Sequence, residues 1–68
     1  MRIEYDKEVD AGYIYLVDTI DEGEAVKTIE LDSNIILDFN KEGKLLGIEV
    51  LNASKVLKDD TLLKSKIN

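Results

Sequence analysis

The chain has 68 residues, no Cys, His or Pro, and a net charge of -6 from 15 acidic and 9 basic side chains. This composition excludes disulfides and Cys/His zinc sites, and the acidic balance argues against binding to nucleic acid or to an anionic membrane surface. The length predicts a single domain over residues 1–68, and a core this small often needs oligomerisation for stability.

The first half of the chain predicts three strands. Residues 3–5 predict a short strand, and residues 12–17 predict a central one because nearly all of them are β-branched, aromatic or apolar. The polar segment 6–11 between them indicates a hairpin. An acidic loop follows over residues 18–24, and residues 25–31 predict a third strand.

The second half predicts a hairpin of strands 35–40 and 44–51. Asn40 suits the first position of a type I turn, and Gly43 suits the left-handed position that follows. Two short helical turns come next, and together they are long enough to cover one face of the sheet. The predicted fold is therefore α+β and mainly β, a small antiparallel β-meander of about five strands with short C-terminal helical turns.

The turn also predicts how the strands of this hairpin pair. Continuing the ladder back from the turn places Asp38 opposite Leu46. Both faces of the hairpin are then partly apolar, and Asp38 and Glu49 lie on opposite faces. Because the chain is too short to cover two apolar faces, we predict a homodimer in which the uncovered faces pack together. The predicted interface consists of Tyr13, Tyr15, Ile35, Leu37, Phe39 and Leu51.

Carboxylates are the main candidates for chemistry. Asp6, Glu8 and Asp10 alternate as calcium ligands do, but the Gly and the bidentate Glu of an EF-hand loop are missing, so a solvated turn is the better interpretation. Asp38 and Glu49 resemble an acid and base pair, but opposite faces favour structural roles. No His is present to activate a Ser. We therefore predict no catalytic residue, no metal ligand, no cofactor and no enzymatic activity.

Short motifs spread over residues 3–57 form a recognisable set. They are Tyr5-Asp6, Asp10, Tyr13-Ile14, Leu37-Asp38-Phe39, Glu42-Gly43, Leu46-Gly47-Ile48-Glu49 and Leu51-Asn52-Ala53-Ser54. Together they resemble the small prokaryotic proteins of the family called domain of unknown function 2283. Gly12 departs from that pattern, in which a larger apolar residue usually precedes the Tyr. The resemblance implies no known activity, but some members are thought to be encoded beside small toxin-like proteins.

Three functions remain open from the sequence. The first is a non-enzymatic interaction module that self-associates. The second, implied by the resemblance, is an antitoxin-like protein whose acidic charge attracts a small basic partner. The third is a carboxylate-dependent enzyme or a weak divalent-metal binder that uses Asp6, Asp10 or Asp38. No apolar run approaches the roughly 18 residues of a membrane span, and residues 1–6 lack the apolar region of a signal peptide, so we predict a cytoplasmic location.

Overall fold

The computed structural model describes residues 1–67, which form one sheet and two short helices. The elements are β1 (Arg2–Asp6), β2 (Ala11–Tyr15), β3 (Lys27–Glu30), β4 (Ile35–Phe39), β5 (Leu45–Leu51), α1 (Ala53–Val56), α2 (Asp59–Leu63) and β6 (Lys66–Ile67). The strands lie in the order β3-β4-β5-β2-β1-β6, and each neighbouring pair is antiparallel except β1 and β6. The predicted α+β, mainly β fold is confirmed, with the two-residue β6 as an addition.

Two antiparallel units meet in the middle of the sheet. β1 and β2 form one hairpin, and β3, β4 and β5 form a three-stranded meander. The chain crosses from β2 to the far edge through residues 16–26, and β5 then returns to pair with β2. Among β1 to β5, the order therefore departs from a simple meander at this one connection, and β2 and β5 become the central strands.

The core is small. The buried apolar side chains of the described residues are Leu46 and Val50, each 2% exposed, and Ala53, which is 0% exposed. The accessible surface is 4887 Å², whereas a folded monomer of 7.7 kDa is expected to expose about 4,300 Å². The chain thus leaves more surface open to solvent than its mass requires.

A β-bulge corrects the predicted pairing of β4 with β5. Phe39 pairs with Leu45 as expected, but Asp38 pairs with Gly47, so the register shifts by one residue between Asp38 and Phe39. The predicted pairing of Asp38 with Leu46 is therefore wrong. Because side chains alternate along a strand, a one-residue shift moves every later residue of β5 to the other face. Asp38 and Glu49 consequently share a face, which corrects the prediction that they lie on opposite faces.

The bulge separates an apolar face from a mostly polar one. The helix-side face is defined by the paired residues Val50 and Ile35, and Ile48 and Leu37. The polar face carries the alternate residues of the strands, which from β1 across to β3 are Arg2, Glu4, Tyr13, Tyr15, Gly47, Glu49, Asp38, Thr28 and Glu30. Ile36 and Leu51 are the apolar exceptions on β4 and β5. Most of the two-sided apolar pattern predicted for this hairpin thus disappears.

The turn between β4 and β5 forms as the sequence predicts. The Asn40 side-chain oxygen accepts hydrogen bonds from the backbone N–H groups of Glu42, at 3.0 Å, and Lys44, at 2.9 Å. Gly43 has a φ angle of 81°, and its N–H donates to the Asn40 carbonyl at 3.0 Å. A left-handed residue at this position favours glycine because a Cβ atom would be strained there.

Asp10 attaches α1 to the first hairpin. One carboxylate oxygen of Asp10 accepts hydrogen bonds from the Tyr5 hydroxyl at 2.6 Å and from the Ser54 backbone N–H at 2.9 Å, and the other accepts from the Ser54 hydroxyl at 2.6 Å. The Asp10 carbonyl accepts from the Ala53 N–H at 2.9 Å. Asn52, at the N-cap, makes no capping bond with its side chain. The first two N–H groups of α1 are therefore satisfied by Asp10, which lies 44 positions before Ser54.

The helices cover only part of the helix-side face. A Cβ atom at Gly12 would lie 3.7 Å from the Ala53 Cβ and 3.9 Å from the Leu57 Cδ1, so α1 and the residue after it pack over β2. Neither α1 nor α2 exceeds five residues. Across residues 1–67 we find no helix with the length and apolar character needed to cross a membrane.

Candidate protein-interaction surface

An apolar row crosses the whole helix-side face. It consists of five directly paired residues on five neighbouring strands: Ile3, Ile14, Ile48, Leu37 and Ile29. Directly opposite side chains lie close enough to contact one another across each strand pair. Four of the five side chains are half-buried, and Ile29 is exposed. The row is thus a continuous aliphatic stripe that the chain covers only in part.

The open end of the apolar row lies at β3. All four residues of β3 are exposed. Ile29 is 39% exposed, and the apolar residues on either side of the strand are more open, with Val26 at 61% and Leu31 at 65%. No other strand is exposed along its whole length among those whose side chains are described. Apolar surface and an open sheet edge therefore coincide at one place on the molecule.

A hydrogen-bonded chain of side chains occupies the polar face. The Tyr13 ring crosses over Gly47, and its hydroxyl donates to one Asp38 oxygen at 2.6 Å. The Thr28 hydroxyl donates to the other Asp38 oxygen at 3.0 Å. These bonds connect β2, β4 and β3 across the intervening β5. The network is a brace across four strands, and it depends on the missing side chain at Gly47.

The same face continues outward through aromatic and charged groups. The rings of Tyr13 and Tyr15 have centroids 4.7 Å apart. The Arg2 guanidinium lies 3.9 Å from the centre of the Tyr15 ring and forms an ion pair with Glu4 at 2.9 Å. Arg2 also donates to the backbone carbonyl of Asp18, so this residue joins β1 to the loop that follows β2.

The chemistry of the Tyr13–Asp38 hydrogen bond suits a structural role. Burial of the Tyr13 hydroxyl, followed by its hydrogen bond to Asp38, raises the pKa of Tyr13 well above its ordinary value. A hydroxyl held neutral in this way is a stable donor, whereas general acid–base catalysis is most effective with a pKa near the working pH. A shallow open depression of about 190 Å³ lies beside this pair, lined by Glu4, Asp6, Ala11, Gly12, Tyr13 and Glu49.

The carboxylates considered as metal ligands are separated and engaged elsewhere. Both oxygens of Asp10 and both of Asp38 accept hydrogen bonds from hydroxyl or N–H groups. Asp6 accepts the Glu8 N–H at 3.0 Å. Over residues 1–67 no three side chains of the metal-binding types come together as ligands for one ion.

The six residues predicted as one interface are divided between the two faces. Ile35, Leu37 and Phe39 lie on the helix-side face, as their alternation along β4 requires. Tyr13, Tyr15 and Leu51 lie on the polar face, where Tyr13 is committed to Asp38. Of the six, Leu37 belongs to the apolar row. Sequence reasoning did not find the apolar row, because its five residues become neighbours only once the order of all five strands is known.

Comparison with known proteins gives two similarities. The sequence model of the family described as Protein of unknown function (DUF2283) matches residues 2–54. An uncharacterized protein of Methanocaldococcus jannaschii is 39% identical over an alignment of 69 positions, which covers 98% of this chain and 55% of that protein. The chain thus spans about half the length of this relative. No solved structure matches the chain.

Proposed function

The chain belongs to the DUF2283 family of proteins of unknown function, and on that premise we propose that it is a non-enzymatic interaction module that self-associates. The observation that carries the proposal is the apolar row with its open end at β3. A second copy of the chain would cover Ile29 and Leu31. Burying an aliphatic side chain of this size contributes about 1.5–3 kcal/mol when its burial is complete.

The net charge of the chain makes the strength of self-association depend on salt concentration. Each copy carries a net charge of -6, so two copies repel one another at a distance. Salt screens charges separated by more than about 10 Å at 0.1 M, whereas it affects apolar burial much less. Self-association should therefore strengthen as salt is added. Binding of a small basic partner, the antitoxin-like alternative, would weaken under the same change.

The proposal of no enzymatic activity is supported by the use of the polar groups. Asp10 holds α1 in place, and Asp38 joins β2 to β3 through Tyr13 and Thr28. Asp38, one of the two carboxylates considered as general acid and base, is thus part of the fold, and so is Asp10. A group that is fully hydrogen-bonded for structural reasons is poorly placed to exchange protons with a substrate.

Ile29→Lys should weaken self-association of the protein at least about tenfold, or 1.4 kcal/mol. The substitution places an ammonium group at the open end of the apolar row, where covering it would require its desolvation. Ile29 is 39% exposed in the monomer, so a lysine there can reach solvent and should leave the fold intact. Light scattering coupled to size exclusion, over a concentration series, measures the change in dissociation constant.

The matched control is Val9→Lys, which makes the same change in charge at an apolar residue that is 67% exposed and lies in the turn between β1 and β2, away from β3. We expect its dissociation constant to stay within about threefold of that of the unmodified chain. A chain that remains monomeric at about 1 mM in both low and high salt would refute self-association. Titration of that monomer with a small basic protein would then test the alternative.

A further inference from the structure

β3 forms one end of the sheet, with a free backbone edge. The Leu31 N–H donates to the Ile35 carbonyl at 2.8 Å, which marks these two residues as a hydrogen-bonded pair of the β3–β4 ladder. In an antiparallel ladder such pairs alternate with pairs whose backbone groups point away. Ile29 therefore faces β4 with its N–H and C=O groups, whereas Thr28 and Glu30 direct theirs outward. The edge therefore offers donors and acceptors from two residues of β3, Thr28 and Glu30.

We infer that a second copy of the chain docks by strand addition, with β3 pairing antiparallel to β3 of the other copy around a two-fold axis at Ile29. This inference rests on the proposed self-association and adds how the copies meet. The two six-stranded sheets would join into one continuous sheet. The apolar row would then run on from Ile29 of one copy into Ile29 of the other.

The register follows from which residues face outward. Pairing Thr28 with Glu30 of the other copy joins outward-facing groups, and symmetry repeats this pair on the other side of the axis. Ile29 then lies opposite Ile29 of the other copy, and the two form a non-hydrogen-bonded pair. In such pairs the Cα atoms approach to about 4.5 Å and the side chains contact closely. Lys27 lies opposite Leu31, so its methylene stem covers a side chain that is 65% exposed in the monomer.

The neighbouring registers are less favourable. A shift of two residues in one direction places Glu30 directly opposite Glu30, and like charges in that position are destabilising. A shift in the other direction places Ile29 opposite Lys27 and leaves Leu31 beyond the paired region. The register centred on Ile29 is therefore the one in which backbone bonding, apolar contact and charge agree. Because a five-residue edge is a small interface, we expect a weak dimer that dissociates at roughly micromolar concentrations.

Glu30→Pro should abolish this dimer while leaving the monomer folded. Proline removes the outward N–H of residue 30, which donates to the second copy and to no group of β4, and an edge strand tolerates proline at such a position. We expect the dissociation constant to rise at least tenfold, with little change in the thermal midpoint. Glu30→Gln removes the charge but keeps the N–H, and it should preserve the dimer.

Cross-linking gives a second test that does not depend on proline. The chain has no Cys, so Ile29→Cys introduces a single thiol at the proposed axis. Paired Cα atoms there would fall within the range that a disulfide spans. Under a glutathione redox buffer, Ile29→Cys should form a covalent dimer at least tenfold faster than Thr28→Cys, in which the thiols lie on the polar face and away from the axis.

The outcomes separate the geometry from the proposed function. If Ile29→Lys dissociates the dimer while Glu30→Pro leaves it intact, the copies associate through their faces and strand addition is refuted. Equal cross-linking rates for Ile29→Cys and Thr28→Cys would refute it as well. If the unmodified chain is monomeric throughout, self-association itself fails, and strand addition fails with it.

Discussion

Replacing Gly47 by Ala should destabilise the fold by about 2–3 kcal/mol, which is large for the addition of one methyl group. A Cβ atom at this position would lie 2.6 Å from the Tyr13 hydroxyl oxygen and would overlap the ring carbon Cε1. The ring would have to leave its position over β5. The Tyr13 hydroxyl would then lose Asp38, and the brace between β2 and β4 would be broken.

Gly12→Ala is the matched control for this substitution. Gly12 also lies on a central strand, but on the helix-side face. There a Cβ atom would meet the Glu4 carbonyl at 3.6 Å and the Ala53 Cβ at 3.7 Å, which are ordinary contacts. We expect Gly12→Ala to be neutral or to stabilise by up to about 1 kcal/mol, since alanine loses less backbone entropy on folding.

A double-mutant cycle isolates the cause of the Gly47 effect. Urea denaturation of Gly47→Ala, Tyr13→Ala and the double variant gives the free energy of unfolding of each. If the Tyr13 ring is the obstacle, Gly47→Ala should cost less than about 1 kcal/mol once the ring is removed. An undiminished cost in the Tyr13→Ala background would assign the effect to the backbone at residue 47.

The sequence predicted the elements well because their signals are local. The turn at Asn40 and Gly43 depends on five consecutive residues, and the strand segments depend on their own composition. The bulge depends on two strands at once. The turn alone sets Asp38 opposite Leu46, whereas matching the apolar alternation of β4 to that of β5 requires a shift of one residue. That mismatch between turn register and hydrophobic pattern was the signal for a bulge.

The interaction surface was less predictable because it is assembled from distant segments. Ile3 and Ile29 belong to one row only because β5 pairs with β2 and so joins the two antiparallel units. A single sequence contains no direct signal for that pairing. Likewise, the sequence leaves Asp10 open as a metal ligand. Its hydrogen-bond partners, Tyr5 and Ser54, are brought to it only by the fold. The sequence shows which residues are apolar or acidic, but the strand order determines which of them come together and what each one does.

Asp10→Ala should lower the thermal midpoint by about 4–8 °C or more, the size of change expected when a small domain loses a helix cap. The substitution removes the acceptors of the Ser54 N–H and hydroxyl and of the Tyr5 hydroxyl. It also places alanine at a φ angle of 53°, a left-handed conformation that Asp and Asn tolerate better. Hydrogen exchange should show lost protection in α1 first. Asp6→Ala, at the exposed end of β1 beside the same turn, is the control and should change the midpoint far less.

The same carboxylate makes stability depend on pH in a defined direction. The Ser54 hydroxyl, the Tyr5 hydroxyl and then the Ser54 N–H hold the pKa of Asp10 below its ordinary value. The ionised form is therefore favoured by folding, and its contribution is fully present above the unfolded pKa of about 3.9. It is lost as the pH falls through the lower folded-state pKa. Urea midpoints of the unmodified chain should thus fall more steeply below about pH 4 than those of Asp10→Asn, which cannot ionise. Parallel pH profiles for the two proteins would show that ionisation of Asp10 does not stabilise the fold.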